Sequence, residues 1–374
     1  MNRTFSYSFE PAAQDPVKAR TVELDVADIE MAGIKEILQT PGATMSTWSL
    51  LDALLEPTGP MTPFVFREPL GQAREVKVAM SGLFGRFVAR AYLERYFHLS
   101  IFTHLGRRDV TLDGRRQVTI ERTQTGDLPD WIACSGGLAD ITIAEAKGCH
   151  DGRGPYEALD RAWNQVHRVE IQSQGGRLPV KRIAVATRWA SAVGGKADPV
   201  MAVRDPTDDG DTDDPDIIAA VCIGLARRHV ASLIRPLGYE PLADALVAAS
   251  SLALESSRQA ARRTLDQADV RGLDTLGIPG LQGDLLGGFV TKAGPLRDKD
   301  LSLVDQDVLR RLDLKPLFIG VERELVEALI GDDPAPVRKR LKEVRTPQAG
   351  LRTDGSGTNI VDLMPVDRGP ISGS

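Results

Sequence analysis

The sequence predicts an α/β protein: a core of helices and mixed strands, then a mainly helical C-terminal region. Two amphipathic stretches, SGLFGRFVARAYLERYFHLS and YEALDRAWNQVHRVEIQSQ, bracket four short runs with strand patterning, and KRIAVATRW follows as a buried strand. Beyond residue 216 the apolar spacing is helical for most of its length.

In chain order, residues 1–78 read as a mainly helical first unit. VADIEMAGIKEILQ and STWSLLDALL repeat apolar residues at helical spacing, and Ser46 or Thr47 can cap the second helix. PTGPMTP breaks the pattern. Residues 79–200 hold the core. Its first helix has Leu83, Phe87, Tyr92 and Phe97 among its apolar positions. In RRDVTLDGRRQVTIERT, Asp113-Gly114 between two alternating runs signals a hairpin. PDWIAC and ITIAEAKG are two further strands around Ser-Gly-Gly, and Gly175-Gly176 ends the second helix. Residues 201–216, rich in aspartate, read as an acidic loop or linker. Residues 217–345 form the helical region, and the Gly, Pro and Ser content beyond 346 predicts a disordered tail.

Composition narrows the functional classes. A net charge of −6 over 374 residues argues against a nucleic-acid coat protein, but not against an enzyme with a local basic face. The longest apolar run, Ile217 to Ala226, is too short to span a bilayer, stops at Arg227, Arg228 and His229, and reads as a buried helix. Three cysteines make no disulfide framework, and MNRTFSYSFEPAAQDP lacks the apolar segment of a signal peptide. The expectation is a cytoplasmic protein without a membrane.

The chemistry concentrates in PDWIACSGGLADITIAEAKG. Strands seldom carry Glu or Lys among apolar residues, yet Glu145 and Lys147 end this one. Alternation puts Ile141, Ile143, Glu145 and Lys147 on one face, and Asp130, Ile132 and Cys134 on one face of the preceding strand. A turn centred on Gly136-Gly137 sets Asp130 opposite Ile143 and diagonal to Glu145. A turn centred on Gly137-Leu138 sets it directly opposite Glu145. In both registers Asp130, Glu145 and Lys147 share a face. Two such carboxylates repel unless a cation sits between them, and oxygen ligands select Mg²⁺ or Mn²⁺. Such an ion can hold a phosphodiester and activate water, with Lys147 orienting the water or steadying developing charge.

These residues resemble the PD-(D/E)XK nuclease superfamily, whose fold is restriction-endonuclease-like. Pro129-Asp130, the step to Glu145, and Glu145-Ala146-Lys147 carry the resemblance, together with the order of helix, strands, helix and strand over about residues 80–192. It implies Asp130 and Glu145 as metal ligands, the Ala146 carbonyl as a third, and Lys147 as the catalytic lysine. By the same resemblance Gln165 belongs to the site, and Glu94 is the candidate for an added acid from the first helix. The tyrosine that some branches place four residues after the glutamine is replaced here by Val169. The implied function is metal-dependent phosphodiester hydrolysis, with DNA favoured over RNA, in restriction, repair or phage defence. The alternative is an inactive nucleic-acid-binding or scaffolding subunit.

Other features are read against this site. Arg107, Arg108, Arg115, Arg116 and Arg122 on the hairpin can track a phosphate backbone, or belong to an ordinary solvated hairpin. Arg161, Gln165 and Arg168 share a helix face, so the two arginines either contact substrate or form a solvated stripe. Cys149-His150-Asp151 with Cys134 fits no common zinc spacing. GIPGLQGDLLGG lacks the Lys-Ser/Thr of a phosphate loop, so any motor or trigger comes from a partner subunit. The apolar helices between 216 and 266 suit a homo-oligomer interface as well as a private core.

Overall fold

The computed structural model describes residues 2–11, 21–40, 55–57, 64–66, 74–106, 110–150, 154–188, 200–205, 214–251, 255–272, 283–291, 294–295, 317–342 and 351–362. Strands β1 (Asn2–Pro11) and β2 (Thr21–Asp25) lead into α1 (Val26–Gln39), whose first turn is capped by Asp25 accepting from the Ala27 amide. The short pair β3 (Leu55–Pro57) and β4 (Phe64–Phe66) precedes the long α2 (Arg74–Tyr96). Then come β5 (Leu99–His104), β6 (Val110–Asp113), β7 (Val118–Arg122), β8 (Trp131–Ser135) and β9 (Thr142–Cys149). Helix α3 (Tyr156–Val166) is followed by β10 (Val169–Ser173), β11 (Gly176–Arg177), β12 (Lys181–Arg188) and β13 (Val200–Asp205). The remainder holds α4 (Pro215–Ile234), α5 (Glu240–Ser251), α6 (Glu255–Asp266), β14 (Arg271–Gly272), β15 (Asp284–Thr291), β16 (Gly294–Pro295) and β17 (Leu317–Glu322). Helices α7 (Arg323–Ile330) and α8 (Pro334–Lys342) and strands β18 (Leu351–Thr353) and β19 (Thr358–Asp362) complete it.

Seven strands form a mixed sheet in the order β2-β1-β13-β12-β9-β8-β5. β9 and β12 run parallel, as do β1 and β13; the other neighbours are antiparallel. Strands covered on both faces need continuous apolar runs. WIAC in β8, TIA in β9 and IAVA in β12 supply them, and all are buried. Helices flank the sheet. α2 packs on β9 and β12 with α1 against it, α4 packs on β5 and β8, and α3 sets Ala158 and Ala162 over Ala184, Ala186 and Ala202.

One crossing is close enough to need glycine. A Cβ on Gly148 would lie 1.6 Å from the Ser81 carbonyl oxygen of α2, and one on Gly85 would lie 2.5 Å from the Gly148 nitrogen. This contact fixes α2 over the end of β9. Gly148→Ala forces helix and strand apart and is expected to cost about 1–3 kcal/mol. Urea unfolding reads the loss, and an unchanged midpoint would remove the packing argument.

Several expectations change. Residues 1–78 are not a separate helical unit: β1 inserts beside β13 in the central sheet, and α1 packs on α2. Ser46, Thr47 and most of the second expected helix lie outside the described residues. The helix expected over 81–100 ends at Tyr96, where His98 adopts φ 54, and Leu99–His104 becomes an edge strand. The helix expected to reach Gly175 ends at Val166, because the alternating Val-Glu-Ile-Gln-Ser that follows suits β10.

The Asp113-Gly114 hairpin forms, but it joins β10 and β11 in a separate four-stranded sheet. Val200–Asp205 is a buried strand rather than part of a linker; residues 206–213 of the acidic run are outside the description. The C-terminal region also carries a six-stranded antiparallel sheet built on β15, β17 and β19, and β18–β19 lie within the tail expected to be disordered. Among the described residues, Pro215–Leu237 is the one helix long and apolar enough to cross a membrane, and most of it is buried within the protein. The apolar positions of α4 and α5, including Val221, Leu225, Leu242 and Leu246, lie in the protein's own core.

Candidate functional site at the β8–β9 end

The register pairs Trp131 with Ala144 and Ile132 with Ile143. The turn is therefore centred on Gly137-Leu138, and Asp130 stands opposite Glu145. There the backbone ladder gives way to side chains. The Asp130 amide donates to Glu145 Oε2 at 2.7 Å, and the Ala146 amide donates to Asp130 Oδ2 at 3.0 Å. Each carboxylate satisfies the other strand's backbone. An extended residue directs its N–H and C=O toward the same edge, so the Ala146 carbonyl faces the same gap. The parallel register sets Glu145 beside Ala184 and Lys147 beside Ala186. The acid–lysine face is therefore the one that α3 covers.

Lys147 donates to Glu145 Oε1; its side chain is 31% exposed and that of Glu145 is fully buried. Burial, then the Asp130 charge, push the Glu145 carboxyl up to about 8, against the pull of Lys147 and the Asp130 amide. The folded protein then keeps this proton where the unfolded chain has lost it. Its contribution to stability is complete below the ordinary value of 4.5 and is lost as pH rises through about 8. Between those limits it is expected to decline by about 1.4 kcal/mol per pH unit. Glu145→Gln should flatten that decline in urea titrations across this window; the same slope in both proteins would refute the assignment.

Behind the pair lies a continuous ionic array. Arg86 of α2 reaches Asp130 Oδ1 at 3.5 Å and Glu36 Oε1 at 2.5 Å. Glu36, fully buried on α1, also takes Arg90 at 3.1 Å, Trp131 Nε1 at 3.1 Å and His104 at 3.3 Å. Burial alone would raise the Glu36 carboxyl, but His104, Arg86 and Arg90 outweigh it and hold it far below the usual range. Arg90 continues to Glu94 at 3.0 Å, Glu94 to Lys35 at 2.7 Å, and Lys35 to Asp354 at 2.5 Å. Asp354 lies between β18 and β19, where Oδ1 accepts from the Ser356 and Thr358 amides.

The remaining expected site residues fall into four groups. Gln165 and Arg168 do not touch the acids; they hold the segment leading into them. Gln165 Nε2 donates to the Leu128 carbonyl and Arg168 Nη1 to the Asp127 carbonyl at 2.9 Å. Glu94 is not beside Asp130 and Glu145. It lies about two turns along α2 from Arg86, held by Lys35 and Arg90. Arg161 is exposed on α3; Arg116 pairs with Asp113 at 2.9 Å; Arg115 is 71% exposed, 4.0 Å from Asp332; Arg122 is bound to the Gln124 and Gly126 carbonyls. Arg107 and Arg108 lie outside the described residues.

Sequence reading missed Glu36, Arg86, His104 and Lys35. One signal existed: Lys35-Glu36 interrupts the otherwise apolar MAGIKEIL, and a charge pair on a buried helix face requires partners. Among the described residues no three His, Cys, Asp or Glu side chains form a metal-holding group. A metal here would rest on two carboxylates and a carbonyl. No family model, curated protein or solved structure matches this chain.

Proposed function

We propose that the chain is a metal-dependent nuclease with a restriction-endonuclease-like core, hydrolysing phosphodiester bonds of DNA. The observation that carries this reading is Asp130 facing Glu145 where β8 and β9 lose their backbone ladder, with Lys147 bound to Glu145. The donor set fits Mg²⁺ or Mn²⁺, since Asp130, Glu145 and the Ala146 carbonyl offer only oxygen. The raised Glu145 carboxyl marks a charge that lacks sufficient compensation without a cation. When bound, such an ion would polarise the phosphoryl oxygens and make water a better nucleophile.

The protein's own groups do the rest. Asp130 and Glu145 are held by each other's strands and need little reordering. Lys147, released from Glu145, presents an ammonium that can orient water or neutralise charge developing on the phosphate.

The test is cleavage of supercoiled plasmid, linear duplex, single-stranded DNA and RNA with Mg²⁺, Mn²⁺ or EDTA. Activity requiring metal and absent from Asp130→Ala and Glu145→Ala supports the proposal. Cleavage retained by both purified variants, or none on any substrate, counts against it; affinity without turnover favours a binding subunit.

A further inference from the structure

At the far end of the ionic array is a cavity of about 740 Å³ between α1, the end of α2, the β8–β9 turn and the β18–β19 turn. Its size is that of a small-molecule site. Met31, Ala91, Leu99 and Leu341 give it apolar walls. Its charged groups are unevenly matched. Arg95 at the rim is occupied by Asp28 at 3.5 Å and lies over the Tyr96 ring. Deeper in, Glu94 and Asp354 share the single ammonium of Lys35, which is fully buried and closed to the cavity. Arg90 also reaches Glu94, but it is divided with Glu36.

The two acids differ in what they have left to offer. Asp354 Oδ1 accepts from Ser356 and Thr358, and Oδ2 from Lys35. Glu94 takes Lys35 and Arg90 both on Oε1, so Oε2 has no protein partner among the described residues. A carboxylate oxygen without a protein partner among the described residues and apolar walls meet in one space.

We propose that this cavity binds a small organic monocation with an apolar body, an alkyl- or arylammonium, whose charged head sits on Glu94 Oε2. An anion is disfavoured by the two carboxylates. A neutral ligand leaves the excess negative charge unmatched. The cavity is separate from the Asp130–Glu145 pair, and its occupancy does not depend on the nuclease reading.

Benzylammonium is the probe, with isosteric benzyl alcohol as its neutral control, titrated calorimetrically into the full chain without metal or nucleic acid. Benzylammonium is expected to bind at least about tenfold tighter than the alcohol, the advantage of a hydrogen bond to a charged group. Glu94→Gln should erase that difference. Because Glu94→Gln also removes a partner of Lys35 and Arg90 and can unfold the chain, Ala27→Trp, which fills the cavity from α1 outside the array, provides a second test. It should abolish binding with the thermal transition retained. Equal affinity for ammonium and alcohol, unaltered binding in Ala27→Trp, or no binding of millimolar benzylammonium would each overturn the proposal.

Discussion

Lys147→Ala is expected to lower metal-dependent cleavage by about 10²–10³-fold while the protein still binds Mn²⁺. The side chain is partly exposed at the end of β9, and its one ion-pair partner among the described residues is Glu145. Under the proposed mechanism, removing it deletes the cation that would face developing phosphate charge, and leaves both proposed ligand carboxylates in place. A side effect has a known direction. Lys147 pulls the Glu145 carboxyl down, so in the variant that carboxyl rises further and Mn²⁺ binding weakens at neutral pH. Raising the pH above about 8 should restore binding but not cleavage. Calorimetric Mn²⁺ titration beside single-turnover plasmid cleavage separates the two roles. Cleavage recovering together with metal affinity would reduce Lys147 to a tuner of Glu145.

The largest stability effect is expected at Glu36. Arg86, Arg90, His104 and the Trp131 indole converge on this buried carboxylate. Arg90 is itself fully buried, 4.7 Å above the Phe102 ring. Glu36→Ala leaves these donors facing a void in low dielectric, and removing one partner of a buried ion pair typically costs about 3–5 kcal/mol. Guanidinium denaturation should show the midpoint falling with little change in slope. A loss under about 1 kcal/mol would mean that water enters and screens the cluster. A refolded variant has a second consequence. Arg86, freed from Glu36, can settle on Asp130 and compete with a metal there, so Mn²⁺ affinity should fall although no proposed ligand has changed.

The candidate triad was legible in the sequence to the extent that strand geometry is local. Asp130, Glu145 and Lys147 share a face because side chains alternate along a strand, whatever surrounds it. The choice between the two turn registers was not legible. Gly136 and Gly137 permit either, and the settled one places Leu138 at φ 53 and buries its side chain in the core. Gln165 was expected at the site by resemblance and Arg168 by helical spacing, but α3 ends at Val166 before Arg168, and both side chains bind carbonyls of residues 127 and 128, which no spacing rule predicts. The expectation for Glu94 came from resemblance alone, and the structure gives that carboxylate to Lys35 and Arg90.

By itself the sequence determined the local elements: α1 over Val26–Gln39, the apolar strands β8, β9 and β12, and the hairpin at Asp113-Gly114. Periodicity and turn chemistry act over a few residues and can be read in a few residues. Only the tertiary structure decided that the N-terminal strand enters the central sheet beside Val200–Asp205, because backbone pairing is nearly blind to sequence. It also decided which charges meet. Trp131 finds Glu36 across 95 residues, and Lys35 finds Asp354 across 319. Buried charges must be neutralised wherever the fold brings an opposite charge within reach, and no local pattern records where that will be.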